Sequence, residues 1–173
     1  MIHRICDPGL TPHYIVARVL AQEAAARRIT VELDAAPEVP TIHCDRRMLN
    51  QILLSLAGNA VKFTPEGGTV RRRTAMVSGR LVFEVTDTGI GMTEQEIRVA
   101  LEPFGGDDSP LTRKARERGL GLPLARAFTE LLGGRLGIES TPGSGTKATV
   151  VLPLGNRGDV EREDWRARED SNP

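Results

Sequence analysis

Apolar and polar positions switch between two periods along this chain, and the switch points mark its elements. From Pro12 to Arg28, Ile15, Val16, Val19 and Leu20, followed by alanines at 24 to 26, keep helical spacing after a Thr11-Pro12 start. Ile29 to Leu33 alternates like a strand, and Ala35 to Pro40 reads as a loop. Asp45 is placed to cap a long helix reaching about Lys62, with Met48, Leu49, Ile52, Leu53 and Leu56 on its core face. Thr64 to Gly68 is a turn. Thr69 to Val77 and Arg80 to Asp87 are strands joined by Ser78-Gly79, a hairpin signal. Thr93 caps a short helix, Glu94 to Ala100, with Glu96 at the capping-box position. Glu102 to Arg118 has no usable period, and a loop that long in a compact domain is a lid or is disordered. Leu120 to Leu132 is helical and ends at Gly133-Gly134. Arg135 to Ser140 and Lys147 to Leu152 are strands around the Thr141-Pro142-Gly143-Ser144-Gly145 turn. Ile2 to Pro12 shows no element of its own, and Gly155 to Pro173, with its lone Trp165, reads as a poorly ordered charged tail. This order predicts an α+β sandwich, helices over one antiparallel-leaning sheet.

Length bounds that picture. The 173 residues suit one domain over 11–154, after a linker at 1–10 and before a tail at 155–173. Twenty-three basic and 23 acidic residues cancel, so no basic face for nucleic acid is expected. Cys6 and Cys44 make neither a disulfide framework nor a zinc spacing, which points to a reducing compartment. No apolar run approaches the roughly 20 residues that span a membrane. The expectation is a soluble, cytoplasmic chain without direct membrane contact, a fragment of a longer protein that is itself membrane-anchored or not.

Candidate chemistry gathers at three places. Ser55, Asn59 and Lys62 are spaced four and three apart and share one helix face. Asn59 offers a carbonyl oxygen, which suits Mg²⁺. Lys62 offers a point charge for phosphate, and Phe63 a ring for stacking. Asp87 ends an apolar strand and precedes Gly89 and Gly91. A carboxylate there selects a donor such as an exocyclic amine, over backbone that glycine lets come close. Gly119-Leu120-Gly121-Leu122 opens a helix, whose first amides form an anion site. The preceding loop carries Arg113, Lys114 and Arg116. Taken singly, each feature also fits a plainer role: a solvated helix face, a strand-to-helix turn, a solvated loop. Gly143 to Thr146 reads as a hairpin turn. No Gly-x-x-x-x-Gly-Lys-Ser/Thr loop is present, no strand–glycine–helix dinucleotide unit fits, and the three histidines (His3, His13, His43) form no legible catalytic constellation.

Together, in this order, these motifs resemble the ATP-binding catalytic domain of bacterial sensor histidine kinases, in the gyrase–Hsp90–histidine kinase–MutL superfamily. The resemblance spans about Leu10 to Leu154. Gln51 to Thr64 resembles the family's N box, Asp87 to Met92 its G1 box, Glu102-Pro103-Phe104-Gly105 its F box, Gly119 to Leu122 its G2 box, and Gly143 to Thr146 its last glycine motif. It implies a two-layer Bergerat fold: a mixed five-stranded sheet, three helices on one face, and a lid over about Gly105 to Arg118. It implies that Asp87 binds the adenine amino group, Asn59 holds Mg²⁺ bridging the phosphates, and Lys62 touches phosphate. Phe63 lines the adenine, Gly89 and Gly91 shape the pocket, and Gly119 and Gly121 start the helix beside the phosphates. By the same resemblance Met92, Phe104, Arg113, Lys114, Arg118, Leu120, Leu122 and Thr146 join the nucleotide site, and no residue stands out as catalytic in its own right.

Two positions depart from the pattern. Ser55 stands where the family usually has Asn, and Glu117-Arg118 where it has a glycine and a small residue. The acceptor histidine of the family lies on a preceding helical hairpin, and His3 and His13 lack its context. The implied reaction passes the γ-phosphoryl of ATP to that histidine, on a dimerisation domain of the same full-length protein, and then to a response-regulator aspartate. Two other classes fit the same motifs: a degenerate nucleotide- or partner-binding module, and a cousin that hydrolyses ATP or phosphorylates serine. Hydrolysis in that superfamily uses a glutamate where Ser55 stands.

Overall fold

A computed structural model describes residues 4–5, 21–35, 42–102 and 121–153. The helices are α1 (residues 21–26), α2 (Arg46–Phe63), α3 (Glu94–Leu101) and α4 (Gly121–Leu131). The strands are β1 (Arg4–Ile5), β2 (Thr30–Ala35), β3 (Ile42–His43), β4 (Thr69–Val77), β5 (Arg80–Asp87), β6 (Arg135–Thr141) and β7 (Gly145–Pro153). The expected lid and tail, residues 12–20 and all of 103–120, lie outside the described residues.

Caps set the helix limits as the sequence predicts. Asp45 Oδ1 accepts from the amides of Arg47 (2.8 Å) and Met48 (3.3 Å), satisfying two first-turn donors of α2. Thr93 and Glu96 form a reciprocal capping box on α3. Gly133, at φ +73°, closes α4: its amide reaches Glu130 O (2.9 Å) and that of Gly134 reaches Thr129 O (2.9 Å). The end of α1 repeats this geometry with Arg28, at φ 52°, in the glycine position. The Ser78-Gly79 turn has positive φ at both residues, as a type I′ hairpin requires.

Five strands form one sheet in the order β2-β4-β5-β7-β6. β2 runs parallel to β4 and the other neighbours are antiparallel, so the sheet is mixed. Its inner face meets α2 and α4, and Leu49, Ile52, Leu56, Val61, Val70, Leu81, Phe83 and Val150 form the centre of the core, with Ala24 and Ile29 sealing the α1 end. α3 packs on α4 and β6. The outer face instead carries an ion-pair ladder across all five strands. Asp34–Arg73 (3.6 Å), Arg73–Glu84 (3.6 Å), Glu84–Lys147 (3.3 Å) and Lys147–Glu139 (3.6 Å) follow one another, between directly opposed residues except for the diagonal Glu84–Lys147 pair. A face so charged stays in water, which leaves the helices a single face to cover.

Two expectations need correcting. The stretch Ile2 to Pro12 does hold an element: β1 pairs antiparallel with β3, Arg4 opposite His43 and Ile5 opposite Ile42. Two-residue strands lack the length for alternation to show, so neither was legible. The strand expected at Ile29 to Leu33 runs instead to Ala35, because its partner β4 continues opposite it to Thr74.

Candidate functional site

A cleft opens between α2, α3, α4 and the inner face of β5, β7 and β6, with about 610 Å³ of space including its open mouth. Its floor consists of two rungs of the sheet. The deeper rung is apolar: Val85, Ala148 and Ile138 stand opposite one another on β5, β7 and β6. The next is polar: Asp87, Thr146 and Ser140. Leu56, Ala60 and Phe63 of α2, Met92 and Ala100 beside α3, and Leu122 of α4 make the walls. The cleft is thus a flat apolar slot with polar groups at one edge.

Asp87 is only 8% exposed. Its Oδ1 accepts from the amides of Gly89 (2.8 Å) and Thr146 (3.2 Å), which fix the carboxylate and leave Oδ2 as the other acceptor. Burial pushes its pKa above the ordinary carboxylate value, and the two amides offset part of that rise. A desolvated acceptor at the edge of an apolar slot selects a flat ring with an N–H donor on its rim.

The loop after Asp87 is held from three sides. The Ile90 amide donates to Phe63 O at the end of α2 (3.2 Å). Ile90 O accepts from the Gly143 amide (2.8 Å). The Met92 amide donates to Ser140 Oγ (2.8 Å), which donates to Gly145 O (2.8 Å) and lies 2.9 Å from Thr146 Oγ1. Such packing has room for glycine alone. A Cβ on Gly91, at φ +65°, would stand 2.0 Å from Thr141 O, and one on Gly145, at φ +98°, 1.9 Å from Asp87 O.

The other end of the cleft is built from side chains. Asn59 lines it, half-buried, and Gly121 at the described start of α4 lies against it: a Cβ there would meet Asn59 Nδ2 at 3.2 Å and Ser55 Cβ at 3.6 Å. An amide side chain beside a helix N-terminus pairs an oxygen donor for a hard cation with dipole attraction for an anion. Among the described residues no three His, Cys, Asp or Glu side chains converge to hold a metal by themselves. The Asn59 oxygen suits an ion that keeps most of its other ligands from water and phosphate, as Mg²⁺ does. Burial pushes the Cys44 thiol up to about 11, and no group of three ligating side chains gathers around it among the described residues.

Of the residues expected from sequence, Asn59, Phe63, Asp87, Gly91, Met92, Leu122 and Thr146 line the cleft. Gly89 lies beneath it, against Phe63 O, and Gly121 behind Asn59. Lys62 is exposed outside the lining, its ammonium 5.1 Å from the Phe63 ring centre, a cation–π distance. Phe104, Arg113, Lys114, Arg118, Gly119 and Leu120 lie outside the described residues. Sequence reading missed Ser140 and the apolar floor. Val85 carried a signal, two residues before Asp87 and so on its face. Ser140 carried none, since its role depends on cross-strand register.

Comparison with known proteins agrees with this geometry. The family model for histidine kinase-, DNA gyrase B- and HSP90-like ATPases matches residues 44–156. This chain belongs to that family. Among curated relatives, the circadian input-output histidine kinase CikA of Synechocystis is 40% identical over 135 residues, 77% of this chain and 18% of CikA. The histidine protein kinase DivJ of Caulobacter vibrioides is 39% identical over 146 residues, covering 78% of this chain and 24% of DivJ. An uncharacterized sensor-like histidine kinase of Rhizobium meliloti is 34% identical over 145 residues, 84% of this chain and 28% of that protein. The chain thus spans under a third of the length of these relatives. Among solved structures, full-length ShkA in complex with AMPPNP superposes with a TM-score of 0.73 at 30% identity, covering 90% of this chain and 31% of ShkA. The catalytic domain of the histidine kinase ThkA gives 0.74 at 18% identity, covering 89% and 97%, and shows the shared fold. The histidine kinase-like ATPase fold, with its mixed five-stranded sheet, is therefore established for this chain.

Proposed function

We propose that this chain is the ATP-binding catalytic part of a two-component sensor histidine kinase, cytoplasmic in placement. It positions Mg-ATP for transfer of the γ-phosphoryl to a histidine on a dimerisation domain of the same full-length protein, for relay to a response regulator. The observation that carries the reading is Asp87: a buried acceptor at the edge of an apolar slot, which complements an adenine and its amino group. Asn59 and the start of α4 stand where the phosphates would lie, and Mg²⁺ held by Asn59 would neutralise phosphate charge. Phe63 and Met92 line the base, while Gly89 and Gly91 set the backbone beneath it. Leu122 closes the far wall and Thr146 adds a hydroxyl beside Asp87. Phe104, Arg113, Lys114, Arg118, Gly119 and Leu120 belong to the segment proposed to close over the triphosphate. The names of the relatives and the AMPPNP in the ShkA complex support the assignment.

Ser55 favours transfer over hydrolysis. It presents a hydroxyl beside Asn59 and Gly121, where a water-activating base would need a carboxylate. The test is calorimetric titration of the chain with ADP and a non-hydrolysable ATP analogue, with and without Mg²⁺. Micromolar binding, tighter with metal for the triphosphate, is expected. No binding at millimolar nucleotide would overturn the reading in favour of a degenerate partner-binding module.

A further inference from the structure

The last carbonyls of a helix have no partner within it. At the end of α2, which carries Asn59 and Phe63, each has a specific one. Ala60 O is taken by Thr64, through its amide (3.1 Å) and its hydroxyl (2.6 Å). Phe63 O accepts from the Ile90 amide (3.2 Å). Val61 O, Lys62 O (2.8 Å) and Thr64 O (3.0 Å) all accept from one guanidinium, that of Arg27, just after α1. The carbonyls on either side of Phe63 O are therefore gripped by Arg27, while Phe63 O itself holds the loop that begins at Asp87.

We propose that Arg27 is a positioning residue for the nucleotide site: its guanidinium clamps the end of α2 so that Phe63 O is presented to the Gly89–Ile90 backbone. Three observations converge on this. The fork reaches three carbonyls at once, those of Val61 and Lys62 through one nitrogen and that of Thr64 through the other. A cation at a helix C-terminus is favoured by the dipole. The loop has no slack, because Gly89 is so close to Phe63 O that a Cβ there would stand 2.6 Å away. A shift of the helix end therefore moves Asp87's neighbours. Arg27 also lies outside every motif of the cleft, so its effect is transmitted and not made by contact with a ligand. The consequence for binding rests on the proposed nucleotide reading; the clamp itself does not.

The experiment compares the chain with Arg27→Ala, Arg27→Gln and Arg27→Lys, and with Leu81→Val, a core change remote from the clamp that controls for lost stability. Two quantities are read: hydrogen exchange of the Ile90 amide without nucleotide, and ADP affinity. In Arg27→Ala, Ile90 exchange rises about tenfold above the control and ADP binds about tenfold more weakly, the equivalent of one net charged hydrogen bond. Arg27→Lys restores part of both. Should Arg27→Ala fail to fold, Arg27→Gln, which keeps two donors without charge, gives the same signs at smaller size. Ile90 exchange equal to that of Leu81→Val overturns the clamp, whatever happens to ADP. Faster Ile90 exchange in a chain whose parent binds no ADP leaves the clamp standing and overturns the nucleotide reading instead.

Discussion

The two ends of the cleft are built by different means. At the Asp87 end, main chain does most of the work: the amides of Gly89, Thr146, Ile90, Gly143 and Met92 all have assigned partners, and two glycines sit where no side chain fits. At the Asn59 end, a side-chain amide and a hydroxyl stand on one helix face beside the start of another. A hydrogen-bonded backbone surface cannot be altered one atom at a time, and changing it costs folding as well as binding. A side-chain surface can be altered with little effect on the fold. The difference separates recognition of a flat ring, which is rigid and cooperative with the sheet, from handling of charge, which is local and adjustable.

The harshest way to break that contrast is to place a methyl group in the backbone-built end. Gly91→Ala puts a Cβ 2.0 Å from Thr141 O at a φ of +65°, so strain and overlap add. A loss on the order of 3 kcal/mol in unfolding free energy is expected, with no measurable ADP binding. Denaturant unfolding and calorimetry on one preparation check both. Normal stability would mean that the β6–β7 turn gives way, and that the two ends are less different than they look.

Asp87→Asn sharpens the contrast from the side of charge. The folded state raises the pKa of Asp87, so it holds this proton more tightly than the unfolded chain does. Stability from this group is therefore greatest at low pH, and falls as pH rises from the ordinary carboxylate value through the raised one. Asparagine keeps an oxygen for the two amides and has no charge to desolvate. The variant is expected to match or exceed the parent in stability at pH 7, and to lose that advantage in acid. Its ADP affinity should drop about 100-fold, since an amine loses a charged acceptor and can face a donor in its place. Melting curves from pH 3 to pH 8, paired with ADP titrations, read both. A variant less stable than the parent at neutral pH would show that the carboxylate is a structural bond and not a burden carried for function.

The same split decides what the sequence made legible. Side-chain chemistry at helical or strand spacing was visible: Asn59 and Phe63 on one helix, Asp87 at a strand end, the Thr93–Glu96 box, the Asp45 cap. Each depends on residues within about one turn of each other, the range over which local pattern carries information. What stayed hidden depends on register between strands distant in sequence. Ser140 joins the site only because β6 pairs with β7 so that Ser140 faces Thr146, which in turn faces Asp87. Arg27 reads as one more charge at a helix end, and its three carbonyl acceptors lie more than 30 residues away. The β1–β3 pair is too short for a period to exist. Lys62 shares the Asn59 face by its spacing, and spacing alone does not show that its ammonium lies over the neighbouring Phe63 ring, 5.1 Å from the ring centre.

The gentlest change falls at the side-chain end and asks whether charge handling is local. Asn59→Ala removes an oxygen and a few contacts from a half-buried position, next to a glycine that leaves room for repacking. Stability is expected to stay within about 1 kcal/mol of the parent, as for most substitutions that open no core cavity. Adenosine, which has no phosphate, should bind as before. The Mg²⁺-dependent gain in affinity for a non-hydrolysable ATP analogue should shrink about tenfold, one metal-directed oxygen being lost. The comparison of adenosine with the triphosphate, each with and without Mg²⁺, separates the two ends within a single variant. Equal weakening of both ligands would mean that Asn59 supports the slot itself, through Ala60 and Phe63 on the same turn of α2. The boundary between a main-chain site for the ring and a side-chain site for charge would then have to be drawn beyond that helix.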